Sequence, residues 1–171
     1  MRDDQDTLYR EAAAAYGAAL QRLARAVEIN PERRRDLLQD MHVALWRSFA
    51  AFDRRCALRT WVYRVTHNVA ATYVDRERRA PRGQVALDDI AHLPDAQDVG
   101  ADLEKSDALT RLITLLRALK MPDRQIMALY LEGLDAAAIA DVTGLSSGAV
   151  ATRISRLKTH LARSFQETAD V

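Results

Sequence analysis

Apolar residues recur at spacings of three and four along most of the chain, and almost no segment alternates apolar and polar residues with period two. This spacing places apolar side chains on one face of a helix, so the pattern predicts an all-α protein. A first helix is predicted over about residues 7–28 and a third over about residues 58–79. Between them, Asn30 and Pro31 fit the N-cap and first position of a second helix that runs to about residue 50.

The helical pattern fails between residues 80 and 100, where prolines, a glycine and several aspartates are concentrated, a composition typical of a linker. Helical periodicity returns at Leu103, with a pause at residues 121–123. We therefore predict two small helical domains, over residues 1–82 and 103–171, joined by an acidic linker over residues 83–102. We expect the two domains to fold on separate cores.

The 171-residue chain has a net charge of only +1, but the charge is strongly segregated. Residues 31–82 carry twelve arginines against six acidic residues, whereas residues 83–110 carry one lysine against seven. No acidic residue lies between Asp141 and Glu167, although this stretch contains several basic ones. The basic domains indicate a polyanionic partner, and the acidic connector is best explained as a solvated linker.

Several classes of protein find no support in the sequence. The single cysteine, Cys56, excludes an internal disulfide, and no apolar run approaches the ~20 residues of a membrane span. The acidic start lacks the basic segment of a signal peptide, so we expect a cytoplasmic protein without membrane insertion. The sequence contains no glycine-rich phosphate loop, nucleophile elbow or metal-ligand cluster, and we expect neither an enzyme nor a metal or cofactor site.

Residues 134–154 have the pattern of a helix-turn-helix. Ala140 is small enough for two helices to cross closely, Gly144 suits a left-handed turn, and Ser146 is placed to cap the second helix. A basic second helix of this kind fits the major groove of duplex DNA, although a helical hairpin with a solvated basic face would show the same charges. The predicted DNA-reading positions are Ser146, Ser147, Ala151, Thr152, Arg153, Ser155, Arg156 and Lys158.

The predicted third helix mixes basic residues with Trp61, Tyr63 and His67. Cations can neutralise a nucleic-acid backbone while aromatic rings stack on unpaired bases, so this combination predicts a face that binds single-stranded nucleic acid. For Trp61 taken alone, a position in the core is an equally good explanation.

Several motifs, in order along the chain, resemble one family. Residues 36–40 (DLLQD) with 44–47 (ALWR), and residues 58–70 (LRTWVYRVTHNVA), resemble regions 2.2 to 2.4 of the sigma-70 group. Residues 119–125 (LKMPDRQ) and 131–134 (LEGL), ahead of the helix-turn-helix, resemble its region 4. The chain therefore resembles the small extracytoplasmic-function (ECF) sigma factors, with the acidic stretch in the place of the ECF linker.

This resemblance implies a non-enzymatic subunit of RNA polymerase that reads the minus-10 and minus-35 promoter elements. The first domain is expected to bind the clamp helices of the largest polymerase subunit through a shared face of Asp36, Gln39 and Asp40. The second domain is expected to bind the minus-35 element and the flap of the second-largest subunit, and an anti-sigma factor is a further expected partner. The positions that match the minus-10 surface are Arg54, Arg55, Arg59, Trp61, Tyr63, Arg64, His67 and Asn68.

Some residues depart from the family pattern. Residues 135–138 (DAAA) replace a more polar segment, and Ala149 and Ala151 stand where a threonine and a basic residue are common, so we expect base reading by this helix to be weaker or different. Two other functions stay open: a helix-turn-helix regulator that acts without polymerase, and a module that sequesters other regulators. The predicted melting face favours the sigma factor, since a simple repressor has no use for one.

Overall fold

A computed structural model describes residues 2–80 and 101–169, and the side chains of residues 4–80 and 107–166. The described chain is helical and contains no strand, which confirms the all-α prediction, and none of its helices is long and apolar enough to cross a membrane. The predicted linker lies outside the described residues except for its last two. The helices are α1 (Arg2–Val27), α2 (Pro31–Ser48), α3 (Leu58–Arg79), α4 (Ala101–Ala118), α5 (Asp123–Leu131), α6 (Ala136–Thr143) and α7 (Ser147–Ala169).

The ends of α2 follow local capping chemistry. The Asn30 side chain accepts hydrogen bonds from the backbone amides of Glu32 (2.9 Å) and Arg33 (3.0 Å), with a proline at the first position of the helix, as predicted. The α-helix ends at Ser48 rather than near residue 50, because the chain tightens into a 3-10 turn over Phe49–Ala51.

The turn of the helix-turn-helix has the predicted geometry. Gly144 ends α6 with a φ of 76°, in the left-handed region that glycine adopts without a steric penalty. The Ser146 hydroxyl oxygen then accepts a hydrogen bond from the backbone amide of Ala149 at 3.2 Å. These contacts fix the direction in which α7 begins, where the predicted DNA-reading residues lie.

The first-domain core lies among α1, α2 and α3. Its fully buried members include Leu20, Leu37, Met41, Leu45 and Val62. At the start of the apolar stripe of α2, Leu37 is buried, whereas its neighbour Leu38 is only half-buried. Because α2 packs against both α1 and α3, its buried stripe follows the spacing of four from Leu37 to Met41 and Leu45.

The second domain packs α7 against the three shorter helices that precede it. One apolar cluster joins α5, α6 and α7 through Ile126, Leu129, Ile139, Val150 and Ile154. A second joins α4 to α5 and α7 through Leu116, Leu119, Met127, Leu157 and Leu161. The apolar side of α7 is therefore buried, and its opposite side is left free for a partner.

The two halves of the chain share their apolar clusters. Ala19 of α1 and Tyr63 of α3 belong to the cluster of the helix-turn-helix, and Ala26 of α1 belongs to the cluster around α4. The expectation of separate cores is therefore wrong, because short alanine side chains on α1 let the second domain approach closely. The domain boundaries at residues 82 and 103 stay a prediction.

Replacing the fully buried Leu45 by alanine should lower the free energy of unfolding by about 2–5 kcal/mol, because the lost methyl groups leave a cavity. Val43 lies on the exposed side of the same helix, and Val43→Ala should cost less than about 0.5 kcal/mol. Urea unfolding followed by circular dichroism measures both changes. Equal losses in the two variants would contradict the buried face assigned to α2.

Candidate nucleic-acid and polymerase interfaces

The basic face predicted on α3 is present, but the second domain covers part of it. Arg59 donates a hydrogen bond to the backbone carbonyl of Glu132 (3.2 Å), and Arg64 donates one to the backbone carbonyl of Asp141 (2.7 Å). These acceptors lie at the C-terminal ends of α5 and α6. Carbonyl groups there have no partner within the helix and carry the negative end of its dipole, so they are good acceptors for guanidinium groups.

Tyr63 and His67, predicted to lie exposed on this face, are instead buried, with only 5% and 3% of their surfaces exposed. Tyr63 packs edge-to-face against Tyr16 of α1, with ring centroids 5.9 Å apart, and against His67 at 6.2 Å. The spacing of residues along α3 does not show this burial, because the burial depends on the second domain. Tyr63 belongs to the apolar cluster of the second domain. Gln125 of α5 donates a hydrogen bond to the backbone carbonyl of His67 (3.0 Å).

The ring of His67 is neutral in the folded protein. Burial lowers the pKa of His67 to about 3, because a buried imidazolium would lose its hydration without gaining a counter-charge. Among the described residues, its Nδ1 atom has no hydrogen-bond partner. The ring therefore contributes as an apolar filler beside Tyr63 while α3 is covered.

Trp61 packs into the first domain. Its Nε1 donates a hydrogen bond to the Ser48 hydroxyl (2.9 Å), and its ring centroid lies 5.1 Å from that of Phe52. The side chain remains partly exposed. These contacts favour a core position over a free stacking platform for Trp61.

The loop before α3 carries the exposed side chains Arg54 and Arg55. Arg54 has a φ of 61°, in the left-handed region that is uncommon for a residue with a Cβ atom, and its guanidinium lies 3.5 Å from Asp4. Asn68 is exposed further along α3. Together with Arg59, these residues are the exposed members of the predicted minus-10 set.

The acidic face predicted on α2 is exposed to solvent. Asp36, Gln39 and Asp40 are all exposed, and their i, i+3, i+4 spacing places them on one side of the helix. Asp40 also borders an open depression of about 260 Å³ between α2 and α3. This face is accessible to a basic partner helix while the second domain covers α3.

The outward side of α7 carries most of the predicted duplex-reading residues. Ser146, Ser147, Ala151, Thr152, Ser155 and Arg156 are all exposed. The last four line an open depression of about 790 Å³ that continues along Thr159, His160 and Arg163. These three were not among the predicted DNA-reading positions, although they follow the earlier positions at helical spacing, and they extend the surface toward the C-terminal end of α7.

Two of the predicted cations of α7 are engaged by α5. Arg153 forms an ion pair with Asp123 at 2.6 Å, and Lys158 lies 5.5 Å from the centroid of the Tyr130 ring. The Arg156 guanidinium lies 3.6 Å from the same aspartate, but its side chain is 66% exposed against 35% for Arg153. Arg153 therefore braces α7 on α5, and Arg156 is the freer cation for a DNA contact.

Sequence reasoning missed the polar residues that connect the two halves. Arg22 of α1 forms a bidentate ion pair with Glu132, at 2.6 and 2.8 Å. Arg117 of α4 donates to the backbone carbonyls of Arg25 (3.0 Å) and Glu28 (3.3 Å) at the end of α1. The Arg22–Glu132 partners are 110 residues apart and the Arg117–Arg25 partners 92, so no local pattern shows either contact.

These helices have the arrangement of a helix-turn-helix DNA-binding protein, and α2 carries an exposed acidic face. Two family models match the chain, "Sigma-70 region 2" over residues 13–80 and "Sigma-70, region 4" over residues 109–161. The matches cover most of the chain in the order that the motifs predicted. The chain belongs to the sigma-70 family and, within it, to the ECF type.

Proteins similar in sequence to this chain are also described as ECF sigma factors. The ECF RNA polymerase sigma factor SigM of Mycobacterium tuberculosis is 29% identical over 162 residues, which are 92% of this chain and 75% of that protein. The ECF RNA polymerase sigma-E factor of Haemophilus influenzae is 27% identical over 142 residues, 77% of this chain and 74% of that protein. A solved structure of CnrH in complex with the cytosolic domain of CnrY is 26% identical, with a TM-score of 0.68 over 97% of both chains.

Folding stability should depend on pH through His67. Its pKa is lowered from 6.5 to about 3 in the folded chain, so the unfolded chain binds the proton more tightly. The stability associated with the neutral ring is fully present above pH 6.5 and is lost as the pH falls toward 3, with a slope of up to about 1.4 kcal/mol per pH unit. His67→Phe should therefore flatten the pH dependence of the urea midpoint.

The matched control for this experiment is His160→Phe, at an exposed position of α7. This variant should keep the wild-type slope between about pH 4 and pH 6.5. A wild-type slope in His67→Phe would show that His67 does not carry the acid sensitivity.

Arg156→Ala should cost ~1–3 kcal/mol of affinity for a cognate minus-35 duplex and little for unrelated duplex, because a base-edge contact is lost. Lys158→Ala should instead weaken binding to every duplex and reduce the slope of log affinity against log salt by about 0.9. Fluorescence polarisation across a salt series, on a duplex first selected from a random pool, measures both. If Arg156→Ala weakens all duplexes equally, Arg156 does not read bases.

Proposed function

We propose that this ECF sigma factor binds core RNA polymerase and directs initiation at promoters that it recognises through two DNA elements. The observation that carries the proposal is the occurrence of sigma-70 regions 2 and 4, in order, in one chain. Each proposed contact uses a different helix: α2 for the polymerase, α3 for the minus-10 element and α7 for the minus-35 element. The three can therefore be engaged together.

The proposed polymerase contact is the exposed face of Asp36, Gln39 and Asp40. Two carboxylates one helical turn apart, with an amide between them, complement basic side chains on a partner helix. The clamp helices of the largest subunit are the proposed partner. For the second domain, the flap of the second-largest subunit is proposed.

The proposed minus-10 contact consists of the loop and face around α3. Arg54, Arg55 and Arg59 provide exposed cations for the phosphates, and Asn68 provides an amide that can pair with a base edge. Extruding a base costs a few kcal/mol, and stacking with polar contacts can offset this at ~1–3 kcal/mol per base. Strand opening on this surface needs no catalytic residue.

The proposed minus-35 contact is the exposed side of α7 from Ala151 to Arg163. Ser146, just before α7, accepts a hydrogen bond from the Ala149 amide, and the other N-terminal amides of the helix are proposed to bind a phosphate. A sequestering protein, an anti-sigma factor, is a further proposed partner. The similar chain CnrH was solved with the cytosolic domain of a second protein, which supports a partner of this kind.

Reversing charge at Asp36 and Asp40 together, with lysine at both positions, should abolish co-elution with core polymerase and promoter-dependent run-off transcription. The physical reason is that like charges then face the basic partner helix. Glu11→Lys, at an exposed position of α1, is the control and should keep both activities. Circular dichroism should show the same helix content in all three proteins.

Two outcomes would contradict the proposal. Unchanged co-elution of the double variant would remove the assigned role of this face. Tight duplex binding by the wild-type chain without core enzyme, together with no transcription when core enzyme is present, would favour a helix-turn-helix regulator that acts alone.

A further inference from the structure

One carboxylate of α5 lies against two arginines of α7. Asp123 accepts a hydrogen bond from the Arg153 guanidinium at 2.6 Å through Oδ1, and its Oδ2 lies 3.6 Å from the guanidinium of Arg156. Arg153 and Arg156 are three residues apart, so they share one side of the helix. A single aspartate therefore divides its two oxygens between two cations of the helix proposed to read the minus-35 element.

The position of this carboxylate is fixed by the packing beneath it. Asp123 is the first residue of α5, and Ile126 and Met127 on the next turn are buried in the clusters that contain Ile154 and Leu157 of α7. Close packing of this kind leaves two helices little freedom to slide past each other. The Asp123 side chain is only 22% exposed, so its place beside α7 is set by the core as well as by the ion pairs.

The two arginines differ in what the carboxylate leaves them free to do. Arg153 is 35% exposed and its ion pair is short, so it is held against α5. Arg156 is 66% exposed and borders an open depression together with Thr152 and Ser155. Since a guanidinium has five N–H donors, Arg156 can contact DNA while one of its nitrogens stays beside Asp123.

A neighbouring carboxylate changes which DNA groups an arginine prefers. A free arginine is drawn to phosphates, which carry a full negative charge and no sequence information. The Asp123 carboxylate repels phosphates, offsets part of the Arg156 charge and limits the rotamers of that side chain. Base edges are neutral acceptors, so their hydrogen bonds depend more on the direction of the guanidinium than on its charge. The pair therefore favours base edges over phosphates.

We propose that Asp123 is a specificity-determining positioning residue, which directs the Arg156 guanidinium to a base edge of the minus-35 element without touching DNA itself. The proposal rests on the proposed function, because it deepens the role of the same α7 surface. An acidic residue at the start of α5 also stabilises that helix through its dipole, and the pair with Arg153 braces α7. A test has to separate positioning from these two structural effects.

The base preference of reconstituted holoenzyme can be measured by transcription from a pool of promoters with a randomised minus-35 element, each tagged by a transcribed barcode. Arg156→Ala should lose the preference at the base pair that Arg156 reads. Asp123→Asn should weaken the preference at that same base pair about twofold to fivefold, the scale of an ion pair near the surface. Asp123→Glu keeps the charge and should retain most of the preference. The double variant Asp123→Asn/Arg156→Ala should match Arg156→Ala alone, because Asp123 acts through Arg156.

Two control variants identify structural effects. Asp107→Asn makes the same change of charge and breaks an ion pair of 3.1 Å with Arg111 on α4, so it should leave every base preference unchanged. Arg153→Gln removes the brace but leaves Asp123 beside Arg156, so any loss of transcription should be uniform across the promoters.

Four results would overturn the inference. In three of them, Asp123→Asn leaves the preference unchanged or weakens all base pairs equally, or Arg156→Ala itself changes no preference. In the fourth, Arg153→Gln shows the same selective loss as Asp123→Asn, which would assign the effect to the brace. Any of these results from a holoenzyme that transcribes leaves the proposed function standing. A chain that supports no transcription with core polymerase overturns the proposed function, and the role of Asp123 falls with it.

Discussion

The packing of the first three helices depends on one buried carboxylate. Glu28, just beyond the end of α1, accepts hydrogen bonds from the Tyr73 hydroxyl on α3 and from the backbone amide of Asn30 (2.7 Å), and it pairs with Arg33 at 3.2 Å. Burial and this carboxylate raise the pKa of Tyr73, so the phenol remains a donor. A buried carboxylate without such donors costs several kcal/mol, so these contacts fix where α1 ends, α2 begins and α3 crosses them.

The second domain contacts the end of α1 through a hydrogen bond from an arginine to a backbone carbonyl, and the same kind of contact occurs at two other helix ends. Arg117 donates to the carbonyl groups at the end of α1, as Arg59 does at the end of α5 and Arg64 at the end of α6. Each contact satisfies an orphan carbonyl and places a cation at the negative end of a helix dipole, worth about 0.3–1 kcal/mol at an exposed site. The halves of this chain are thus joined mainly by guanidinium groups at helix ends, with a few apolar side chains between them.

Local chemistry explains how much could be predicted from the sequence. Helix periodicity and the capping residues Asn30, Gly144 and Ser146 placed the elements correctly, because each acts within a few residues of itself. The exposed acidic face of α2 and most of the α7 surface followed in the same way. Burial of Tyr63 and His67, and the pairing of Arg22 with Glu132, depend on elements far apart in sequence, which the spacing of residues along one helix does not show.

The composition of the contact between the halves determines what can separate them. Its hydrogen bonds end on neutral carbonyl oxygens, whereas phosphates carry a full negative charge and make stronger bonds to the same guanidinium groups. DNA bound to the guanidinium groups would not replace the burial of Tyr63, unless an unpaired base stacked on the uncovered ring. Burial of a large apolar side chain contributes about 1.5–3 kcal/mol. Separating the halves would therefore cost the burial of Tyr63 as well as the hydrogen bonds of Arg59 and Arg64.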